Sequence, residues 1–268
     1  MPTAYFKPFM AKPDRRIIAT RPLAQNSGWA TRLQALGYQV AELPLLDITA
    51  VATAAGQQAV KDCILELDSY DAVIFVSQNA VEHAWQQVET YWPQLPLGLN
   101  LIAVGRSTAT RVSELFELPV TSAQQAMNTE ELLALPQLMA VAGKKILICR
   151  GQGGRPTLGT ALESRGARVD YCELYRRGLP TGAGAALGRL ALNPATDVIA
   201  LFSGETFENL CLAASAAELD PTQLRQVPLL VPGERVARMA TEAGFNQVWA
   251  AVNASEQAML ETLNGHAL

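Results

Sequence analysis

The chain has 268 residues, 49% hydrophobic and 17% charged, a balance with enough apolar mass for two globular cores. A formal net charge of −4 excludes a broadly basic nucleic-acid footprint and diffuse adhesion to anionic membranes, while leaving room for a local basic cleft. No stretch approaches the ~18 apolar residues of a membrane span, and Met1 to Arg16 has no apolar core or small-residue cleavage site, so it reads as a loose leader rather than a secretory signal.

The cysteines Cys63, Cys149, Cys172 and Cys211 form no CxxC pair, and each falls in an apolar helix or strand pattern. They read as buried, reduced thiols, and a cytoplasmic location is expected. The two histidines, His83 and His266, have no acidic or thiol neighbours at ligand spacing. Neither a zinc site nor a Ser-His-Asp triad is therefore expected.

In chain order, Ile17 to Thr20 is a strand, Trp29 to Leu36 is helical, and Gly37 ends that helix. "YQVAELPLL" is extended and Ala55 to Leu67 helical. Continuous apolar strands follow at Asp71 to Ser77, Leu101 to Gly105, Lys144 to Gly151, Asp197 to Ser203 and Pro228 to Gly233. Such strands, separated by helical patterns, predict an α/β protein with parallel sheets covered on both faces.

The halves resemble one another. "DAVIFVSQNAVEHAW" from Asp71 parallels "DVIALFSGETFENL" from Asp197, each with Ser six places after Asp. A strand ending in a glycine turn follows each: "AVGRSTATRV" from Ala103 and "LVPGERVARM" from Leu230. "IIATRP…GYQVAELPLL" likewise parallels "ILICRG…GARVDYCELY", with 16 residues from Arg21 to Gly37 and from Arg150 to Gly166. The repeat alone allows two arrangements. A simple tandem would cut the chain near Gln137. A swapped arrangement would use the two long Pro-punctuated stretches as crossovers.

Chemistry in such folds sits at the C-terminal ends of parallel strands, where helix N-termini offer unpaired N–H groups to anions. The candidate turns are Ser77-Gln78-Asn79, Gly105-Arg106-Ser107-Thr108, Gly151 to Arg155, Ser203-Gly204 and Gly233-Glu234-Arg235. Their hydroxyls serve equally as helix N-caps. Arg21, Arg106, Arg150 and Arg155 fall at or just after strand ends, as surface charges or as forked donors for a polyanionic small molecule. "GQGGR" at Gly151 to Arg155 lacks the pattern of a dinucleotide or P-loop fingerprint, so a carboxylate suits it better than a nucleotide. Tyr175, in the second extended stretch, is either a packing residue or a phenol between domains able to donate a proton.

Several of these runs together resemble the uroporphyrinogen-III synthase family: "FVSQNAV" from Phe75, "VGRSTA" from Val104, "NTEELL" from Asn128 and "RGQGGRPTLGTALESRGARV" from Arg150. "YRR" with Pro180, "FSGETFENL" and "ASEQAMLETL" from Ala254 complete an ordered match over most of 15–263. The resemblance implies two similar α/β domains, each a parallel sheet flanked by helices, joined by a two-stranded ladder, in the swapped arrangement. The outer domain would be 1–42 with 178–268, the inner 47–172, and 43–46 and 173–177 the crossovers.

The implied reaction belongs to haem and sirohaem biosynthesis and makes the protein a lyase. Hydroxymethylbilane loses its ring A hydroxyl, and the resulting azafulvene is attacked at the substituted carbon of ring D. A spiro intermediate then fragments and recloses with ring D inverted. The resemblance implies no cofactor, a monomer, transient contact with hydroxymethylbilane synthase, and no nucleic-acid or membrane partner. Residue by residue, it implies that Tyr175 assists loss of the hydroxyl. Ser77, Thr108 and Ser203 would hold acetate and propionate groups, partly through backbone N–H. Gln78, Asn79, Arg106, Ser107, Arg150, Gly151, Arg155, Gly204 and Arg21 complete the expected substrate-binding set. Asn79, Glu234 and Arg235 depart from what some members carry there. The rival readings are a cofactor-free two-domain small-molecule binding protein and a nucleotide-dependent transferase.

Overall fold

The computed structural model describes residues 15–122 and 129–266. Asn128, which opens one of the family-like runs, and the leader up to residue 14 lie outside the described residues. The strands in chain order are β1 (Arg16–Ala19), β2 (Gln39–Glu42), β3 (Asp47–Ala50), β4 (Ala72–Phe75), β5 (Leu101–Ala103), β6 (Val120–Ser122), β7 (Lys145–Gly151), β8 (Arg168–Gly178), β9 (Asp197–Ala200), β10 (Leu229–Pro232) and β11 (Val248–Ala251). The α-helices are α1 (Leu23–Ala35), α2 (Ala54–Leu65), α3 (Gln78–Tyr91), α4 (Arg106–Phe116), α5 (Thr129–Leu133), α6 (Pro136–Met139), α7 (Thr157–Ser164), α8 (Ala183–Arg189), α9 (Gly204–Ala216), α10 (Pro221–Leu224), α11 (Gly233–Glu242) and α12 (Glu256–Gly265). None of the described helices is long and apolar enough to cross a membrane.

Contacts divide the chain into two compact units. One joins the segment ending at Asp47 to the segment beginning at Gly178; the other is Ile48–Arg177. The first unit has a five-stranded sheet in the order β11-β10-β9-β1-β2, with parallel pairing throughout. The second has the order β3-β8-β7-β4-β5-β6, and β8-β7-β4-β5-β6 is parallel. Strand β3 pairs with β8 at the edge of this sheet. The two parallel sets share one spatial order. The chain enters the second at the strand equivalent to β9, so that set is a permuted copy of the first.

Each sheet buries both faces, which is why its strands read as continuous apolar runs. In the first unit Ile17, Ala19, Val198, Ala200 and Leu230 pack with α1 and α12. Ile18, Ile199, Leu229 and Val231 point the other way, toward α8, α9 and α11. In the second unit Val73, Phe75, Leu147 and Cys149 meet α2, α3 and α4, while Ala72, Ile74, Ile146 and Ile148 meet α5, α6 and α7.

The repeat is visible in backbone angles. Ser77 and Ser203 cap α3 and α9 with φ/ψ of −163°/161° and −162°/164°. Gly105 and Gly233 open α4 and α11 at φ 82° and 76°, values that favour glycine. Helix α1 begins at Leu23, six residues before the predicted Trp29, because Pro22 sets its start while Asn26, Ser27 and Gly28 mute the helical pattern. The short outer strands β6 and β11 were not predicted separately, since three or four residues at an edge carry little periodicity.

The Asp that opens each repeated strand is structural. Asp197 is 2% exposed and accepts from Arg16 Nε at 2.9 Å and from the Asn193 N–H at 2.8 Å. Asp197→Ala leaves the half-buried Arg16 with only the Leu190 carbonyl and no carboxylate, and should lower unfolding stability by about 3 kcal/mol in a denaturant titration.

Candidate functional site

In a parallel sheet of this order, connections leave opposite faces where the strand order reverses, and ligands bind in the crevice at that point. In the Ile48–Arg177 unit the reversal lies between β4 and β7. Their register pairs Phe75 with Cys149, so the turns that follow, Ser77 to Asn79 and Gly151 to Arg155, emerge side by side.

Ser77 is half-buried. Its Oγ accepts the Ala80 N–H at 3.1 Å and shares a hydrogen bond with the Tyr175 hydroxyl at 2.9 Å. Tyr175 is 4% exposed and belongs to the unit's core. The sequence offers it either as a packing residue or as a phenol in the second crossover. In the structure it lies on β8, where a register irregularity between Arg150 and Gly151 pairs Gly151 with Tyr175. The Gln152 N–H donates to its carbonyl at 2.7 Å. Gly151 makes room for the ring: a Cβ there would lie 2.6 Å from Tyr175 Cε2. His83 of α3 stacks on the phenol, with centroids 5.5 Å apart and an interplanar angle of 22°.

The Arg150 guanidinium donates to Glu173 Oε1 at 2.8 Å from Nη2 and to the Gly154 carbonyl at 3.0 Å, and lies 3.9 Å from the centre of the Tyr171 ring. These contacts shape the 151–155 turn. Thr108 is 4% exposed, so its side chain is packed within the unit. Arg106, Ser107 and Arg155 are exposed. Helix α4 has no side-chain cap and no acid in its first turn, which leaves an open N-terminus beside Arg106. Gln78 Nε2 donates to the Ser107 carbonyl at 3.2 Å and ties this turn to that of α3. Asn79 is half-buried in the first turn of α3.

The other unit repeats the frame with different chemistry at its β1/β9 reversal. Arg21 donates to Glu256 Oε1 at 2.9 Å and stacks 4.0 Å from the Phe202 ring centre. Ser203 caps α9 in a capping box with Thr206, so its hydroxyl is turned to its own helix. Gly204 is buried beneath Arg235: a Cβ there would lie 2.9 Å from Arg235 Nη1. Arg235 falls in a turn that the sequence nominates, but its seat over Gly204 is set by packing; His83 is read from the sequence only as a histidine without metal or triad partners, and no motif or spacing marks its contact with Tyr175.

Among the described residues no group of three or more His, Cys, Asp or Glu side chains could hold a metal ion. All four cysteines are free thiols. Neighbouring thiols, with burial, push the Cys63 and Cys172 thiols up, so they stay protonated.

Two consequences can be measured. Gly151→Ala should push the Tyr175 ring off its seat and lower stability by about 1–3 kcal/mol in denaturant unfolding. Burial lowers the His83 pKa below its ordinary value, against the pull of Glu82. The unfolded chain then binds the extra proton first. The neutral-His83 contribution is therefore complete above about pH 6.5 and is lost as pH falls from there through the folded value. The melting temperature should accordingly drop more between pH 7.5 and 5.5 (about two units) in the wild type than in His83→Phe.

Residues 27–261 match the model of the family described as uroporphyrinogen-III synthase HemD. The chain is 32% identical to the uroporphyrinogen-III synthase of Salmonella typhimurium over 249 residues, covering 92% of this chain and 99% of that protein. It is 32% identical to that of Escherichia coli over 257 residues, with the same coverage. The fold is similar to a crystal structure of mutant uroporphyrinogen III synthase from Thermus thermophilus, with a TM-score of 0.62, 19% identity, and 94% and 98% of the two chains covered. It is also similar to the Helicobacter pylori enzyme, with a TM-score of 0.57, 17% identity, and 94% and 99% covered. Full-length identity to these relatives, on the doubly wound frame that carries Ser77, Gly151 and Tyr175, leads to one conclusion: the chain belongs to the uroporphyrinogen-III synthase family.

Proposed function

We propose that the chain closes hydroxymethylbilane into the type III macrocycle with inversion of ring D and loss of water, and that Tyr175 and Ser77 assist departure of the hydroxyl. The observation that carries the chemical part is the 2.9 Å contact between the two hydroxyls. Ser77 Oγ has two lone pairs. One accepts the Ala80 N–H and the other can accept the phenol proton, which frees the serine's own proton for the leaving hydroxyl. The pyrrole N–H given up as the azafulvene forms returns a proton to the pair. The substrate is already reactive, so the larger task is to hold it curled until the correct bond forms.

Carboxylate binding is assigned to the open N-terminus of α4 with Arg106, Ser107 and the Thr108 N–H, and to exposed Arg155. In the other unit it falls to the Ser203-Gly204 turn with Arg21. Exposed Arg106, Ser107 and Arg155 and the uncapped first turn of α4 support the first of these assignments. The same reading takes the enzyme to be a cytoplasmic monomer that meets hydroxymethylbilane synthase transiently. The four free thiols support a reducing compartment.

The test is a coupled assay from porphobilinogen with the deaminase supplied and product isomers separated. Type III product is expected; type I alone would overturn the assignment. Tyr175→Phe should lower kcat by up to about 10²-fold without loss of stability. Ser77→Ala should cost as much, and the double variant little more, because the two hydroxyls act as a unit. Full activity in a folded Tyr175→Phe would remove the phenol from the mechanism.

A further inference from the structure

We propose that His83 is a positioning residue: its ring holds the Tyr175 phenol in the orientation that keeps its hydroxyl on Ser77. The inference rests on the reading of Tyr175 as the proton donor.

Three observations converge. First, α3 supplies both restraints on the phenol. Its N-cap, Ser77, takes the hydroxyl, and His83, nearly two turns along, takes the ring face at 5.5 Å between centroids. One rigid helix thus sets the ring plane and the hydroxyl target together. Second, the imidazole makes no hydrogen bond through Nδ1, which is buried without a partner. The contact that the imidazole makes with Tyr175 is through its ring face. Burial also keeps this ring neutral, so it stacks as an aromatic and not as a cation. Third, His83 lines a cavity of about 450 Å³, with Lys61, Gln87, Tyr91 and Leu174, whose wall does not include Tyr175. The imidazole therefore borders both that cavity and the phenol, and shortening it would open space beside the ring.

The measurement compares His83→Ala, His83→Leu and His83→Phe in the coupled assay, with kcat and KM fitted separately and thermal unfolding in parallel. His83→Ala and His83→Leu should lower kcat by about 10-fold with KM within about 2-fold, because the hydroxyl is displaced while the carboxylate contacts remain. His83→Phe should restore kcat to within about 2-fold, since it keeps the stacked ring and removes the unpaired nitrogen. In a Tyr175→Phe background, His83→Leu should lower kcat no further. Wild-type kcat in a folded His83→Leu, or failure of His83→Phe to rescue, would overturn the proposal while leaving the role of Tyr175 intact. Full activity of Tyr175→Phe would remove that underlying role, and with it the proposal. If His83→Ala does not fold, His83→Leu, of similar bulk, decides the question.

Discussion

Each sheet is sealed by helices on both faces, and most of what the protein can do follows from that burial. Parallel pairing returns the chain through helices, those helices cover both faces, and the strand segments between them are therefore mostly apolar. Polar residues are driven to the turns, and those at the C-terminal ends line up along one edge of the sheet. Where the strand order reverses, between β4 and β7 in one unit and between β1 and β9 in the other, neighbouring turns part to opposite faces. Ser77 and Gly151 flank one reversal; Arg21 and Ser203 flank the other.

The two units have put the same frame to different uses. In the Ile48–Arg177 unit, the irregularity at Arg150/Gly151 and the bare Cα of Gly151 admit a tyrosine ring beside the capping serine, and the serine hydroxyl is shared with it. In the other unit the equivalent serine shares its hydroxyl with Thr206 of its own helix, and the neighbouring groups are guanidinium side chains. One copy holds a hydroxyl pair able to pass a proton; the other offers positive charge. The backbone angles at Ser77 and Ser203 agree to within a few degrees, so the divergence lies in side chains and not in the fold.

Buried ion pairing explains why some plausible ligand contacts are occupied by the protein itself. Arg150 has a carboxylate, a carbonyl and an aromatic face within reach. These contacts organise the 151–155 loop. The pairing of Arg16 with Asp197 at the start of β9 is of the same kind. Arg106 and Arg155, by contrast, are exposed at turns whose backbone is already ordered.

The sequence by itself determined the α/β class, the repeated Asp-to-Ser strands and the glycine turns. Apolar runs, six-residue spacings and residues with φ near +80° are local properties that any fold of this chain must respect. It could also nominate the turns, because strand ends are where polar residues accumulate. Only the tertiary structure decided which of those residues meet. The pairing of Gly151 with Tyr175 depends on a local shift in register, and the stacking of His83 on that ring depends on how α3 packs across β4 and β7. The ion pair of Arg150 with Glu173 joins residues 23 positions apart. Contacts of that range arise from packing, and no periodicity or spacing along one chain encodes them.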